Sequence, residues 1–574
     1  MDGILISNLD EIVKNPEVTS VIQKNDRWGI MSYETGEFSG KGLVAADIGT
    51  PADAILQPNL SGWYKIYVAS ARLVWGFFLE IKLDNEPSFT QIKNSAYSPL
   101  SAWHPGESFE EIFWCCADLT DREIIFHKDK DRRCAPLLAW LRFVPMTEEE
   151  VAEYKEYMRA EDSRNLHVVL SNETNVTAGT DTEEKILSFY TPLKDTDVRI
   201  CTQEIGDDFC EEKYAGDDRP LVDPETEYNE ACRKASAKMD EIVKLRADYV
   251  HGIGAELYAG YTAHLAITAP PFAPPLAWSF IQEHPEYACY TRDGRRTTIA
   301  SFAYPAVRQY AIDTVKRAVK RGYDGVTLIA HRGIRTAFEQ PVLDEFARRY
   351  EGEDARRIPM NDSRLTEIWC EYFTQFVRDL KAQLTAEEGR YVPIHVVTGV
   401  TPETSLRMGV DIAALCKEGL IDHVTAEAME LTEKHIDGCI DADGRIDLAK
   451  YKEVLAQTFT VHRTDEKDFG KIAEGAKEFI ELTRKYGTAF FCGTTPAGIH
   501  AGNRRDWLEK LAAAGVENFS VCNFVKICRD RTLIYAMRKI GHEKRFPAYY
   551  TPNFYRVFSY DGMDMSTYIA SWRG

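Results

Sequence analysis

The sequence predicts an α/β fold, a (β/α)8 TIM barrel preceded by an all-β sandwich domain, on three observations. First, eight short apolar runs, at 167–170, 198–202, 255–259, 325–330, 393–397, 423–426, 489–492 and 519–522, are each followed by a helical stretch. Strands alternating with helical patterns form parallel β-α units, and eight such units are what a closed barrel needs. Second, the runs end on polar or ionisable residues: Ser171 and Asn172, Gln203 and Glu204, Tyr261, His331 and Arg332, Thr398, Glu427, Thr494 and Thr495, and Asn523. Barrels of this kind place their chemistry at the C-terminal strand ends. Third, the first 145 residues carry short aromatic and β-branched runs with no long amphipathic helix between them.

Taken in chain order, the runs at 62–69, 77–83, 112–116, 123–127 and 137–144 are separated by turn residues, the spacing of an antiparallel sandwich. Pro145 then opens a helix whose acid-rich first turn is Glu148-Glu149-Glu150, as the helix dipole favours. The predicted organisation is a β-sandwich over 1–145, a linker helix over 146–162, a (β/α)8 barrel over 163–540, and a tail over 541–574 that packs on the domains. After the third barrel strand comes an insertion. Its first part, 268–278, holds four prolines, which exclude both helix and ladder, and 287–300 reads as a hairpin around Arg292-Asp293-Gly294. Long ordered loops at this face act as lids or substrate walls.

Composition narrows the function. Of 574 residues, 44% are hydrophobic and 28% charged, a globular balance, and the formal charge of −21 is the opposite of what phosphate recognition requires, so no nucleic acid is expected as a partner. The N-terminus lacks the basic and apolar regions of a signal peptide, and no stretch is long and apolar enough for a membrane span. The thirteen cysteines form no CxxC pair, which suits a reduced, cytoplasmic protein rather than a disulfide framework or a zinc ribbon. No cofactor is called for. A homo-oligomer is compatible with the chain.

Strand parity selects the candidate site. Helices cover the outside of a barrel, so polar residues of one parity point inward. Thr425 and Glu427 share a parity on the sixth strand, Thr327 and His331 on the fourth, and Glu256 and Tyr258 on the third. Glu204 ends the second strand with Asp207 and Asp208 close behind, and Glu339 lies just before Pro341, within reach of folding over the site. Glu427, Glu204 and Glu339 are therefore the catalytic candidates. His331, Arg332, Tyr258, Tyr261, Asn172, Trp278 and Asn523 are the candidates for holding substrate.

Several segments carry a resemblance. HPEYACYTR at 284–292, DGRR at 293–296, SFAYPAV at 301–307, DGVTLIAHR at 324–332 and EQPVLDEF at 339–346 follow one another in an order similar to that of the family 10 glycosyl-hydrolase-like proteins. These are bacterial (β/α)8 barrels often preceded by a β-sandwich. The join LRFVPMTEEEV at 141–151 and the ending at 560–574 resemble theirs too. The resemblance implies that the barrel over 163–540 is catalytic and acts on carbohydrate, that the expected partner is a small carbohydrate, and that the sandwich over 1–145 is carbohydrate-binding-module-like. It also exposes a departure: with Asp324-Gly325 aligned, Ile329 stands where many members carry an Asp, while Arg332 is matched.

The expected activity is glycoside hydrolysis on a small intracellular glycoside or oligosaccharide, with no metal. Such hydrolysis uses two carboxyl groups, one protonated and one ionised. Glu427, beside Met429, is expected as the acid and Glu204 as the base. Strands two and six face each other across an eight-stranded ring, which leans toward the wider separation of inverting enzymes, about 6.5–9.5 Å. Two rivals are a metal-dependent sugar isomerase, with Glu204, His264, His331 and Glu427 as ligands, and a sugar-binding barrel without catalysis.

Overall fold

Eight parallel strands close on themselves between residues 166 and 521 in the order of their sequence: β11 (Leu166–Leu170), β12 (Val198–Glu204), β13 (Glu256–Thr262), β16 (Gly325–Ile329), β17 (Ile394–Thr398), β18 (His423–Ala426), β19 (Ala489–Thr494) and β20 (Phe519–Val521). The computed structural model describes residues 3–14, 27–45, 51–71, 78–86, 89–93, 108–128, 137–158, 165–170, 182–205, 237–263, 279–330 except 291, 293 and 295, 338–359, 362–427, 466–494, 510–521 and 553–560. All eight predicted runs are barrel strands, with ends shifted by no more than three residues.

Sequence explains the joints. Pro305 begins the helix Pro305–Arg321, where its missing N–H costs nothing, and Gly322 ends it in the left-handed region at φ +119°. Asp324 and Asp422 open two strands by accepting the backbone N–H of Leu257 and Ile394, both at 2.8 Å. These bonds lie at the N-terminal face, where polar residues serve stability. Among the described residues, no helix is long and apolar enough to cross a membrane.

The N-terminal region forms two antiparallel sheets. One contains β4 (Ala54–Leu56), β9 (Ile124–His127), β6 (Phe78–Leu83) and β7 (Thr90–Lys93). The other runs β1 (Ile4–Ile6), β10 (Leu137–Pro145), β3 (Ser39–Val44), β2 (Gly29–Thr35), β21 (Asn553–Tyr560), β8 (Ser108–Asp118) and β5 (Trp63–Ala71). Because β10 also pairs with β5, this sheet returns on itself. β21 comes from the far end of the chain: Asn553 pairs with Glu111 and Tyr560 with Tyr33, so the strand fills the gap between β8 and β2.

A buried charge cluster marks that closure. Glu111, fully buried, accepts Trp140 Nε1 at 2.6 Å and Arg142 Nε at 2.9 Å, and the Tyr555 hydroxyl lies 3.1 Å from an Arg142 nitrogen. The Tyr555 ring stands edge-on to Trp140, with centroids 5.0 Å apart. A buried ion pair is tolerable only with its remaining polar atoms satisfied, and Tyr555 supplies part of that. Tyr555→Phe should lower stability by about 1.5–3 kcal/mol, the scale of a hydrogen bond to a charged group. Urea unfolding followed by tryptophan fluorescence measures this, and an unchanged midpoint would mean that Tyr555 contributes nothing to closure.

Candidate active site

The barrel interior is stacked in layers, each drawn from alternate strands as barrel geometry requires. The strand register arranges them from the N-terminal end upward. Ile200, Gly325 and His423 lie lowest. Above them sit His167, Tyr258, His395 and Phe491, then the hydroxyl layer Thr202, Thr327, Thr425 and Ser520. Val169, Gly260, Val397 and Gly493 follow. Glu204, Ile329 and Glu427 form the layer at the C-terminal mouth.

Contacts agree with this order. Thr202 and Thr327 hydroxyls meet at 2.7 Å, and His167 reaches Thr202 at 2.9 Å, Ser520 at 3.0 Å and Thr425 at 3.1 Å. His395 Nε2 contacts Thr425 at 2.8 Å. Ile200, Tyr258 and Phe491 pack together low in the barrel, while Val169, Ile329 and Val397 pack together under the mouth. Tyr258 needs Gly325 beneath it, because a Cβ there would lie 2.6 Å from its ring.

At the mouth, Glu204 and Glu427 project inward from opposite strands, being 2% and 1% exposed. Although both end their strands, the two carboxyl groups are enclosed. Parity separates Glu204 from its neighbour, since Gln203 turns outward and accepts Tyr190 OH at 2.5 Å. Glu427 is placed by its own backbone N–H, which donates to Thr398 O at 2.9 Å, and by Gly493. A Cβ on Gly493 would stand 2.5 Å from Glu427 Oε2 and 2.6 Å from the Ala426 carbonyl. The missing side chain is therefore the space in which the carboxylate lies. Burial, with Glu427 as the next cause, pushes the Cys492 thiol far up, so that thiol is neutral beside Glu427.

Below the mouth, three imidazoles are sealed in. The His167 and His395 rings are 4.3 Å apart, and those of His395 and His423 are 5.4 Å apart. Burial lowers His167 to about 3 and His423 to about 4, with Arg199 opposing the charge on His423, and it lowers His395 as well. All three are neutral at ordinary pH.

Not every candidate converges here. Tyr258 lies three layers beneath the carboxylates and is fully buried, with its hydroxyl 3.2 Å from Glu256 Oε2, so it presents no face to a ligand at the mouth. Tyr261 has the outward parity and packs with Phe376 of the surrounding helix Ser363–Glu388, at 6.4 Å between ring centres. Both corrections follow from period-two alternation combined with tight packing. Glu339 begins the helix Gln340–Arg349, is 1% exposed, and accepts a hydrogen bond from the Ser301 hydroxyl. Asn172, Trp278, His331, Arg332 and Asn523 lie outside the described residues, as does His264. Among the described residues, no group of three or more His, Cys, Asp or Glu is arranged to hold a metal ion. The parity rule also reaches residues the sequence reading passed over. Applied to the first, fifth and eighth strands, it turns His167, His395 and Ser520 inward.

No protein-family profile and no curated protein matches the sequence. Solved structures with similar architecture include a β-galactosidase from the psychrophilic Marinomonas ef1, at 11% identity and a TM-score of 0.37 over 62% of this chain. The chain spans 53% of the length of that enzyme. The Podospora anserina GH26-CBM35 β-(1,4)-mannanase is 11% identical over 95% of this chain and 97% of its own, with a TM-score of 0.29. The Thermus thermophilus α-galactosidase is 11% identical over 86% and 90%, with a TM-score of 0.32. At such values these likenesses assign no activity to this chain, and the site must be judged from its own residues.

Proposed function

We propose that the barrel is a glycoside hydrolase acting on a small carbohydrate, with Glu427 and Glu204 as its carboxyl pair. One observation carries this reading: the two side chains lie in the same layer, on opposite strands, at the C-terminal mouth of a closed barrel. Hydrolysis through an oxocarbenium-like transition state needs one carboxyl to protonate the leaving oxygen and one ionised partner on the other side of the sugar. Val169, Ile329 and Val397 pack together as the aliphatic part of the wall around the pair. We assign the acid role to Glu427, whose surroundings include Gly493 and the neutral Cys492, and the base role to Glu204. Their placement on opposite strands favours inversion. The aliphatic Ile329 occupies the fourth-strand position of the mouth layer, so the pair comes from the second and sixth strands.

Turnover of a panel of 4-nitrophenyl glycosides by the full chain, wild type against Glu204→Gln and Glu427→Gln, tests the assignment. Hydrolysis by wild type that both variants retain would remove the pair from the chemistry. Gly493→Ala is expected to push the Glu427 carboxylate out of its space. With the side chain displaced by about 1 Å, kcat should fall by about 10²-fold. Overpacking should also lower stability by about 1–3 kcal/mol, as read from the urea midpoint. Unchanged kinetics would mean that Glu427 does not need that space.

A further inference from the structure

We propose that Glu339 is a positioning residue: it fastens the hairpin inserted after the third strand to the segment that follows the fourth, making one fixed rim beside the mouth. The two pieces are separate in sequence. The hairpin consists of β14 (Ala288–Tyr290) and β15 (Arg296–Ala300), turned at Gly294 with φ +80°. The other piece starts at Phe338 and continues into the helix Gln340–Arg349 and the turn Ala355–Arg357.

Five contacts join them, and all are of a kind that holds geometry. The Ser301 hydroxyl, at the hairpin base, donates to Glu339, while Ser301 Oγ accepts the Ala303 N–H at 3.1 Å. Phe338 N–H donates to the Tyr290 carbonyl at 3.0 Å. Arg292 Nη1 donates to the carbonyls of Arg356, at 3.0 Å, and Ile358. The Arg292 guanidinium also lies over the Phe338 ring, 5.2 Å from its centre. Beneath them a separate apolar cluster draws Cys289 and Ala303 from one piece and Phe338, Val342, Phe346 and Ile358 from the other, with Trp369 of the helix Ser363–Glu388 packed against both.

Glu339 is the only acidic side chain among the described contacts joining the two pieces, and it sits inside them rather than at a strand end. Its position also ends the helix at the side where the backbone dipole favours negative charge. Tyr304 confirms that the carboxylate is close: burial first, and then Glu339, pushes its hydroxyl up to about 12. A carboxylate committed to Ser301 and enclosed by this packing orients two loops. The insertion, expected from sequence as a lid or a wall, is on this inference a wall, since its described part is bonded to a second loop and shares its core. The inference concerns the rim and stands apart from the glycosidase reading; only its kinetic consequence rests on that reading.

The test compares Glu339→Gln, Glu339→Ala and Ser301→Ala in the full chain by hydrogen exchange and by kinetics on whichever 4-nitrophenyl glycoside the wild type hydrolyses. Both alanine variants should speed amide exchange by about tenfold or more across 288–303 and at Phe338, with the barrel strands unchanged. Glu339→Gln, which keeps an acceptor for Ser301, should restore most of the protection. In kinetics the alanine variants should raise KM several-fold, with kcat changing little, and the glutamine variant should recover KM. Unaltered exchange in both alanine variants overturns the proposal. A loss of about 10²-fold in kcat for Glu339→Gln with normal exchange also overturns it, because that is the mark of an acid–base group. If the wild type hydrolyses no glycoside, the glycosidase reading fails and the exchange results alone decide the role of Glu339.

Discussion

Glu427→Gln is expected to lower kcat by about 10²-fold or more, the usual scale for a general acid. The substitution keeps size and most hydrogen-bonding capacity and removes the titrating proton. The loss should be greatest for glycosides with poor leaving groups, which need protonation, and much smaller for activated aryl glycosides, which do not. Glu204→Gln should impair both substrate types, since a base or nucleophile acts whatever the leaving group. The comparison of the two variants on the two substrate types is the measurement. Equal loss on both types for Glu427→Gln would assign that residue to ground-state binding. Because Glu427 is only 1% exposed, circular dichroism and a urea midpoint on each variant are needed to show that the barrel is intact.

Acid should destabilise this barrel well before most carboxylates titrate, because of the histidines beneath the mouth. A histidine in the unfolded chain titrates near 6.5, whereas His167 and His423 titrate in the fold near 3 and 4, and His395 is lowered too. The unfolded state therefore binds more protons between those limits, and stability must fall as pH falls from about 6.5 toward 4. At pH 5 the cost is about 2 kcal/mol for each of His167 and His423, and the lowering of His395 acts in the same direction, against the roughly 5–15 kcal/mol that holds a typical protein folded. The groups around them give no relief. His167 and His395 meet hydroxyls, His423 meets Phe491 and Tyr258, Arg199 opposes its charge, and only Asp422 favours it. Urea midpoints between pH 5 and 7 should show a slope of up to three protons, and His423→Gln should reduce it by one. A midpoint independent of pH over that range would contradict the buried, neutral assignment.

The eight barrel strands were legible because each is a short apolar run bounded by turns and followed by a 3.6-period helix, a pattern that local sequence alone produces. Legible for the same reason was the inward parity of Thr327, Thr425 and Glu427, since the extended, pleated backbone of a strand turns successive side chains to opposite faces. Less was readable where composition hides burial. In β8 (Ser108–Asp118), Glu110 and Glu111 are 1% and 0% exposed, and nothing local announces that such carboxylates lie inside. Their partners, Trp140, Arg142 and Tyr555, lie 29, 31 and 444 residues from Glu111.

The sequence by itself determined the periodicities: which segments are strands, which are helices, and which strand residues share a face. Those follow from backbone geometry and from the cost of leaving apolar side chains in water, both of which act over a few residues. Only the tertiary structure decided how the faces meet. Closing the ring put Glu204 and Glu427 in one layer and left Tyr258 three layers below, because strand stagger sets height in a barrel and no local signal records it. Close packing made Gly493 the seat of a carboxylate and set Tyr261 against Phe376. The strand Asn553–Tyr560 lies between β8 and β2, where an open gap in the sheet would leave backbone groups unpaired and where this segment, remote in sequence, pairs them.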